Sequence, residues 1–307
     1  MMLENLWKNY ACVLVVVSII ALIAYRNDKR RAIRRRWRIP ELTLLLLAFL
    51  GGGTGAFLGM ILFHHKTRKW KFRLLVPLFM ILQLGLLFFF WYTSDYYHED
   101  AKAAAALLSD DEVTVTETGK TWFFDGPSAD EAYIFYPGGK VEAEAYAPLM
   151  HRLAAEGLDT YLVKMPFNLA FFGIDRAADI MKMADRDRWY IGGHSLGGVA
   201  AAAFAAGHEE DLDGLILLAA YPAKEIDEQL PGLMIYGSED HVLNMKAVFK
   251  ALDRWNNTTR VIVGGNHAGF GDYGEQKGDG AASITQDQQQ VQTVQAVLES
   301  IRAWEDE

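Results

Sequence analysis

Tyr190-Ile191-Gly192-Gly193-His194-Ser195-Leu196-Gly197-Gly198 is a hydrophobic run that ends in G-x-S-x-G and opens into the alanine-rich segment Val199 to Ala206. Arg188 to Ile191 reads as the end of a strand and Leu196 to Ala206 as the start of a helix, so Ser195 falls on the sharp turn between them, a nucleophile elbow. Such a turn strains the backbone and needs small neighbours, because a β-carbon at Gly193 or Gly197 would collide with the adjoining strand or helix. The unpaired amides of the helix N-terminus favour negative charge developing beside Ser195.

Outward from the elbow, the 307 residues divide into two unlike parts. Residues 1–97 carry 14 Lys/Arg against 4 Asp/Glu, whereas the rest carry 16 against 35, so the overall charge of −9 hides a basic part and an acidic one. The basic part is also the apolar part, which points to a membrane surface and not to nucleic acid. Cys12, the single cysteine, lies in an apolar run and excludes a disulfide framework or a thiol site.

Tyr10 to Tyr25, extended by Leu6 and Trp7, is long enough to span a bilayer, and Glu4 before it with a dense basic run after it argue for a retained helix over a cleaved signal. Arg26 to Arg38 holds eight basic residues, and Pro40-Glu41 opens the next helix. Leu42 to Phe63 is apolar but broken by Gly51-Gly52-Gly53-Thr54-Gly55, which allows either close helix packing or a bend that returns the chain to the same side. A second basic loop, His64 to Lys71, precedes Leu74 to Tyr92, whose Phe88-Phe89-Phe90-Trp91-Tyr92 forms an aromatic belt. His64 and His65 read as interface residues, with no carboxylate or third histidine spaced to join them at a metal. The expected organisation is a helical transmembrane domain over 1–94, an acidic tether over 95–112 with a short helix in Ala101 to Leu108, and a globular domain over 113–307.

From Val113 the pattern changes. Val113 to Thr116 and Thr121 to Phe124 read as a hairpin, after which strands and helices alternate: Ala132 to Tyr136, helix Glu142 to Glu156, Thr160 to Met165, helix Asp175 to Asp185, the elbow, Leu215 to Ala219, Leu233 to Tyr236, helix Leu243 to Trp255, Arg260 to Val263 and helix Gln288 to Trp304. Alternation of this kind specifies an α/β fold, a mostly parallel sheet with helices on both faces.

A serine hydroxyl needs a base to take its proton, and the elbow implies an acid and then a histidine downstream. Asp240 is the acid, since Gly237-Ser238-Glu239-Asp240 turns off the end of a buried strand; Glu239 is the local rival, but a residue three after the glycine is better placed to turn inward. Only His241 and His267 follow the acid. His241 adjoins Asp240 and cannot fold back, so His267, approached through Gly264-Gly265-Asn266, is the base. His194 reads as a packing residue of the elbow, and His151 and His208 as helix-surface positions. The oxyanion hole takes the N–H of Leu196 and a second N–H from the loop Pro137-Gly138-Gly139-Lys140, from Gly139 or Lys140.

The motifs Phe135-Tyr136-Pro137-Gly138-Gly139-Lys140-Val141, Lys164-Met165-Pro166-Phe167-Asn168, Gly192 to Gly198, Tyr236-Gly237-Ser238-Glu239-Asp240 and Gly264-Gly265-Asn266-His267 resemble an α/β-hydrolase subfamily near the dienelactone-hydrolase and carboxylesterase branches, over about residues 95–305. The resemblance implies Ser195, Asp240 and His267 as a catalytic triad. Tyr221 to Pro231 occupies the position of the lid of larger lipases and is too short to be one, so the site is expected to be open, covered in part by Pro166 to Phe172. Asp28-Lys29, Arg38-Ile39-Pro40-Glu41, Gly51-Gly52 and His65-Lys66-Thr67 resemble a small bacterial membrane domain of unknown function, over about residues 20–85.

The expected protein is therefore a multi-pass, membrane-anchored serine hydrolase acting on a small-molecule ester or thioester, with peptidase or acyltransferase chemistry open. No nucleotide, metal or flavin motif implies a cofactor. A silent binding or sensing module on the same fold, or a membrane scaffold built on the N-terminal helices, are the competing classes. Lysine and arginine before the last apolar run, with Asp95, Glu99 and Asp100 after it, place the hydrolase outside the cytoplasm if Leu42 to Phe63 is re-entrant; a straight second span with the first basic loop inside places it in the cytoplasm.

Overall fold

Glycine at 51 decides the shape of the N-terminal part. In the computed structural model, which describes residues 2–127, 130–252 and 258–306, the chain forms two units, Met1–Asp95 and Tyr96–Glu307.

The first unit contains α1 (Met2–Ile33), α2 (Glu41–Leu47), α3 (Gly53–Leu62) and α4 (Trp70–Ser94). Asn5–Ile33, Glu41–Leu62 and Trp70–Ser94 are each long and apolar enough to cross a membrane by length and composition. The middle segment nevertheless folds back on itself. Between α2 and α3 the helix breaks at Leu50 and Gly51, and Gly51 takes a φ of 119° that a side chain rarely adopts. Tyr25 on α1 meets both arms of this hairpin: its hydroxyl donates to the Leu44 carbonyl, and a β-carbon at Gly59 would lie 2.8 Å from its Cβ. Each arm is about ten residues, roughly 15 Å, half the thickness of a bilayer core. Gln83 of α4 holds the tip, donating to the carbonyls of Ala48 (2.8 Å) and Phe49 (2.9 Å) and accepting from Gly53 N–H (3.0 Å).

Both basic loops consequently lie at one end of this unit. Asp28, fully buried, accepts from Ile39 N–H (2.8 Å), bonds His65 Nε2 (2.7 Å) and pairs with Arg38 (3.4 Å) and Lys66 (3.8 Å); Lys66 and Lys69 also pair with Glu41, at 2.8 and 3.0 Å. This corrects the reading of His65 as an interface residue without a carboxylate, because the fold-back brings Asp28 to it across 37 positions of sequence. At the other end Tyr10 packs edge-on to Phe90, so α1 and α4 run antiparallel and the chain leaves α4 away from the basic loops. Val15, Ile19, Ile23, Ile81 and Leu82 are exposed on the outer sides of α1 and α4.

The second unit begins where a tether was expected. Tyr97 pairs with Val141, its N–H donating to Lys140 O (2.8 Å) and its carbonyl accepting from Glu142 N–H (2.9 Å). Then α5 (Ala101–Ala105), capped by the Asp100 carboxylate, buries Ala103. Residues 96–112 are thus part of the globular unit, because their backbone groups find partners in it.

Its eight-stranded sheet comprises β1 (Thr114–Thr118), β2 (Thr121–Asp125), β3 (Glu131–Tyr136), β4 (Asp159–Val163), β5 (Arg188–His194), β6 (Gly214–Leu218), β7 (Gly232–Gly237) and β8 (Thr258–Ile262), in the order β1-β2-β4-β3-β5-β6-β7-β8. The first hairpin is antiparallel and β4 to β8 run parallel with β3. Flanked by helices on both faces, β3 to β7 are buried along nearly their whole length. The helices α6 (Ala147–Ala155) and α10 (Gln286–Glu305) pack on one face; α7 (Arg176–Met183), α8 (Leu196–Ala205) and α9 (Met245–Leu252) pack on the other. The end of the helix expected from Leu243 to Trp255 lies outside the described residues. A capping box, Thr285 with Gln288, starts α10.

Candidate active site

Strand β5 delivers Ser195 to the end of the sheet with φ 52° and ψ −121°, a strained elbow, and Ser195 N–H is anchored on Leu218 O at 2.9 Å. The glycines around it are sterically required: a β-carbon would fall 2.3 Å from Tyr136 O at Gly193 and 2.1 Å from the same oxygen at Gly197. Leu196 is the first residue of α8, so its N–H has no partner within the helix.

The loops after β7 and β8 are zipped together. Ser238 N–H donates to Ile262 O (3.0 Å), Glu239 N–H to Gly265 O (2.8 Å) and Gly264 N–H to Ser238 Oγ (2.8 Å). This brings Asp240 to His267. Asp240 Oδ1 accepts the N–H groups of Val242 (2.9 Å) and Leu243 (2.8 Å), and Oδ2 lies 2.8 Å from His267 Nδ1, with both side chains buried. Glu239 instead accepts from Ser238 Oγ. The carboxylate fixes the proton of His267 on Nδ1 and leaves Nε2 as the free acceptor. Among the described residues Nε2 has no hydrogen-bond partner, Ser195 included. Ser195, Leu196 and His267 line one cavity of about 200 Å³ with Val199, Ala219, Ala220, Tyr221, Val242, Leu243 and Asn244.

Of the two proposed second donors, the structure separates Gly139 from Lys140. Lys140 takes φ 61° and its N–H is engaged by Asn168 O at 2.8 Å, so it is not an oxyanion donor. Gly139 lies against Leu196, whose Cδ2 would be 2.6 Å from a β-carbon there.

Gln289 of α10 went unread in the sequence. It is 1% exposed and clasps Asn266 from both sides, accepting its N–H (3.0 Å) and donating to its carbonyl (2.8 Å). A β-carbon at Gly265 or Gly269 would strike that amide. The one signal for it was a glutamine where a helix turns its face to the core. His194 is fully buried, as a packing residue should be; burial first, then His267 beside it, hold it well below the usual histidine range. His208 stacks on Phe204, and His151 is largely buried beside Asp110. Outside this site, ligand atoms of His98, Glu99 and Glu142 lie within 4.8 Å of one another, and hydrogen bonds among them account for the grouping.

An acid, a histidine and an elbow serine at the C-terminal edge of a mostly parallel sheet define a hydrolase of the α/β class. The model of the alpha/beta hydrolase family matches residues 132–291, over half of the chain, and the chain belongs to that family. Residues 18–72 match a family described as a protein of unknown function (DUF1294). This part is 37% identical over 73 residues to the uncharacterized protein YsdA of Bacillus subtilis (strain 168), covering 24% of this chain and 82% of that protein. Similar solved structures include Est1E from Butyrivibrio proteoclasticus (15% identity, 62% of this chain and all of that one, TM-score 0.46) and a predicted CIB-like hydrolase from Thermoplasma acidophilum (14% identity, 61% and 97%, TM-score 0.46).

Proposed function

We propose that this α/β hydrolase is a membrane-anchored serine esterase. In acylation His267 Nε2 takes the Ser195 proton as Oγ bonds the substrate carbonyl carbon, and the resulting oxyanion is met by the N–H groups of Leu196 and Gly139. The carbonyl re-forms, the carbon–oxygen bond to the alcohol breaks, and His267 returns the proton to the departing alkoxide. Water then repeats the sequence on the acyl-enzyme and releases the carboxylic acid. Asp240 keeps the imidazole in the tautomer both halves need. A thioester follows the same path with a thiol leaving.

The observation that carries this reading is the convergence of Ser195 and the Asp240-bonded His267 on one small apolar cavity. Anchoring by α1 and α4 accounts for their exposed apolar sides, and the hairpin accounts for two basic loops at one end. With those loops cytoplasmic, Ser94 emerges on the outer side and the hydrolase is extracytoplasmic.

A fluorophosphonate probe should label the full-length protein and fail on Ser195→Ala; equal labelling of both would remove the assignment. External protease on intact spheroplasts should degrade the acidic unit, and protection until lysis would reverse the orientation.

A further inference from the structure

Behind the cavity lies a buried polar pair that none of these proton transfers uses. Tyr146 and His194 are both fully buried, and the tyrosine hydroxyl lies 2.7 Å from His194 Nδ1 and 3.2 Å from the backbone nitrogen of Gly138. We propose that Tyr146 and His194 are positioning residues that hold the Gly138-Gly139 loop against the elbow, so that the Gly139 N–H faces the oxyanion. The proposal rests on the serine-esterase reading above and adds to it the element that sets the second donor.

Gly138 N–H donates into the tyrosine oxygen; on this proposal the tyrosine's own proton goes to Nδ1 of a neutral His194, 2.7 Å away. Burial keeps it neutral. The loop lies hard against this pair, in space only a glycine can use: a β-carbon at Gly138 would fall 2.7 Å from the tyrosine oxygen and 2.9 Å from His194 Nδ1. His194 is also the residue that precedes Ser195, and its ring centroid lies 4.5 Å from that of His267 and 5.6 Å from that of Phe270. One imidazole thus touches the strand that carries the nucleophile, the base, and, through Tyr146, the loop that carries Gly139. Bonding at Gly138 leaves the next N–H to point at the reacting oxygen, and that direction matters because an oxyanion donor acts only when aimed at the charge that develops.

The test uses the full-length protein in detergent, with 4-nitrophenyl acetate as substrate and phenylboronic acid as the mimic of the tetrahedral anion. Tyr146→Phe and His194→Leu should each lower kcat on the order of 10- to 100-fold, as expected when a donor is misplaced, with KM within about twofold. Phenylboronic acid should weaken by a similar factor. His194→Asn places an amide oxygen where Nδ1 sits and should recover activity to within a few fold of wild type. Tyr146→Phe removes a single atom and carries the comparison if His194→Leu does not fold. Wild-type kcat and boronate affinity in Tyr146→Phe would overturn the proposal, as would equal losses in His194→Asn and His194→Leu, which would mark a packing role alone. Inactivity of Ser195→Ala alongside an unimpaired Tyr146→Phe would locate the failure in this pair and not in the serine mechanism.

Discussion

Asp240→Asn is the sharpest probe of the mechanism, because the structure dictates which way the new amide must sit. Oδ1 of Asp240 accepts two backbone N–H groups, from Val242 and Leu243, while Oδ2 faces His267 Nδ1. An asparagine amide pointing its NH₂ at those two donors would leave them unpaired in a buried site, at about 1–3 kcal/mol each. The amide therefore keeps its oxygen on the backbone and turns NH₂ toward His267. That donor can be accepted only if Nδ1 is bare, which moves the imidazole proton to Nε2, the nitrogen that must receive the serine proton. Enforcing the wrong tautomer costs on the order of 10⁴ in kcat, or about 5.5 kcal/mol of barrier. The measurement is steady-state hydrolysis of 4-nitrophenyl acetate by the full-length variant, with thermal melting alongside. Melting should move little, since the backbone contacts of Oδ1 survive. Turnover within tenfold of wild type at an unchanged melting temperature would refute the reasoning.

Gln289→Leu should cut turnover at least tenfold and lower the melting temperature, because it leaves the N–H and carbonyl of Asn266 unpaired beside His267, at roughly 1–3 kcal/mol each; normal kinetics would contradict the clasp. Gln83→Leu removes three hydrogen bonds from the hairpin tip and should cost the first unit roughly 2–3 kcal/mol in detergent unfolding, whereas an unchanged midpoint would argue against a glutamine-held tip. Asp159 titrates in the opposite sense to a paired surface carboxylate. Burial outweighs its Arg186 partner and lifts it from 3.8 to about 6, so the folded state holds the proton more tightly and this contribution to stability is lost as pH rises through that window. Asp159→Asn should therefore gain in melting temperature relative to wild type between pH 4 and 7, and a gap that moves the other way would rule this out.

The turn at Ser195 and the pairing of Asp240 with His267 were legible because each is announced locally. Gly193 and Gly197 mark the turn, Gly237 marks the strand end before Asp240, and only one histidine after the acid has chain enough to return. What stayed hidden depends on partners brought from elsewhere in the chain. Nothing near Gly139 and Lys140 says that Asn168, from the loop after β4, will occupy one of the two N–H groups. Nothing near His194 says that its Nδ1 will meet Tyr146, 48 residues earlier in the sequence. The acidic stretch after Ser94 reads as a tether by composition, yet its backbone groups, through Tyr97 and Asp100, bond to Lys140, Glu142 and Asp272.

The same distinction holds in the first unit. Hydropathy counts the residues of Glu41–Leu62 and finds enough to cross, but hydropathy does not see the backbone. A helix broken inside a bilayer exposes carbonyls and N–H groups that no lipid can satisfy, so a break survives only where the protein supplies partners. Gly51 makes the turn sterically possible, and Gln83, placed on α4 at the depth of the tip, supplies two donors and one acceptor for the freed backbone. Once the hairpin is closed, Glu41 and Lys66 stand at the same end, and the two basic loops lie together there. Their mutual repulsion is then offset by Asp28, buried among Arg38, His65 and Lys66. A single polar side chain within an apolar span thus lets both basic loops of the first 97 residues stand at one end of the unit, opposite the end at which α4 finishes.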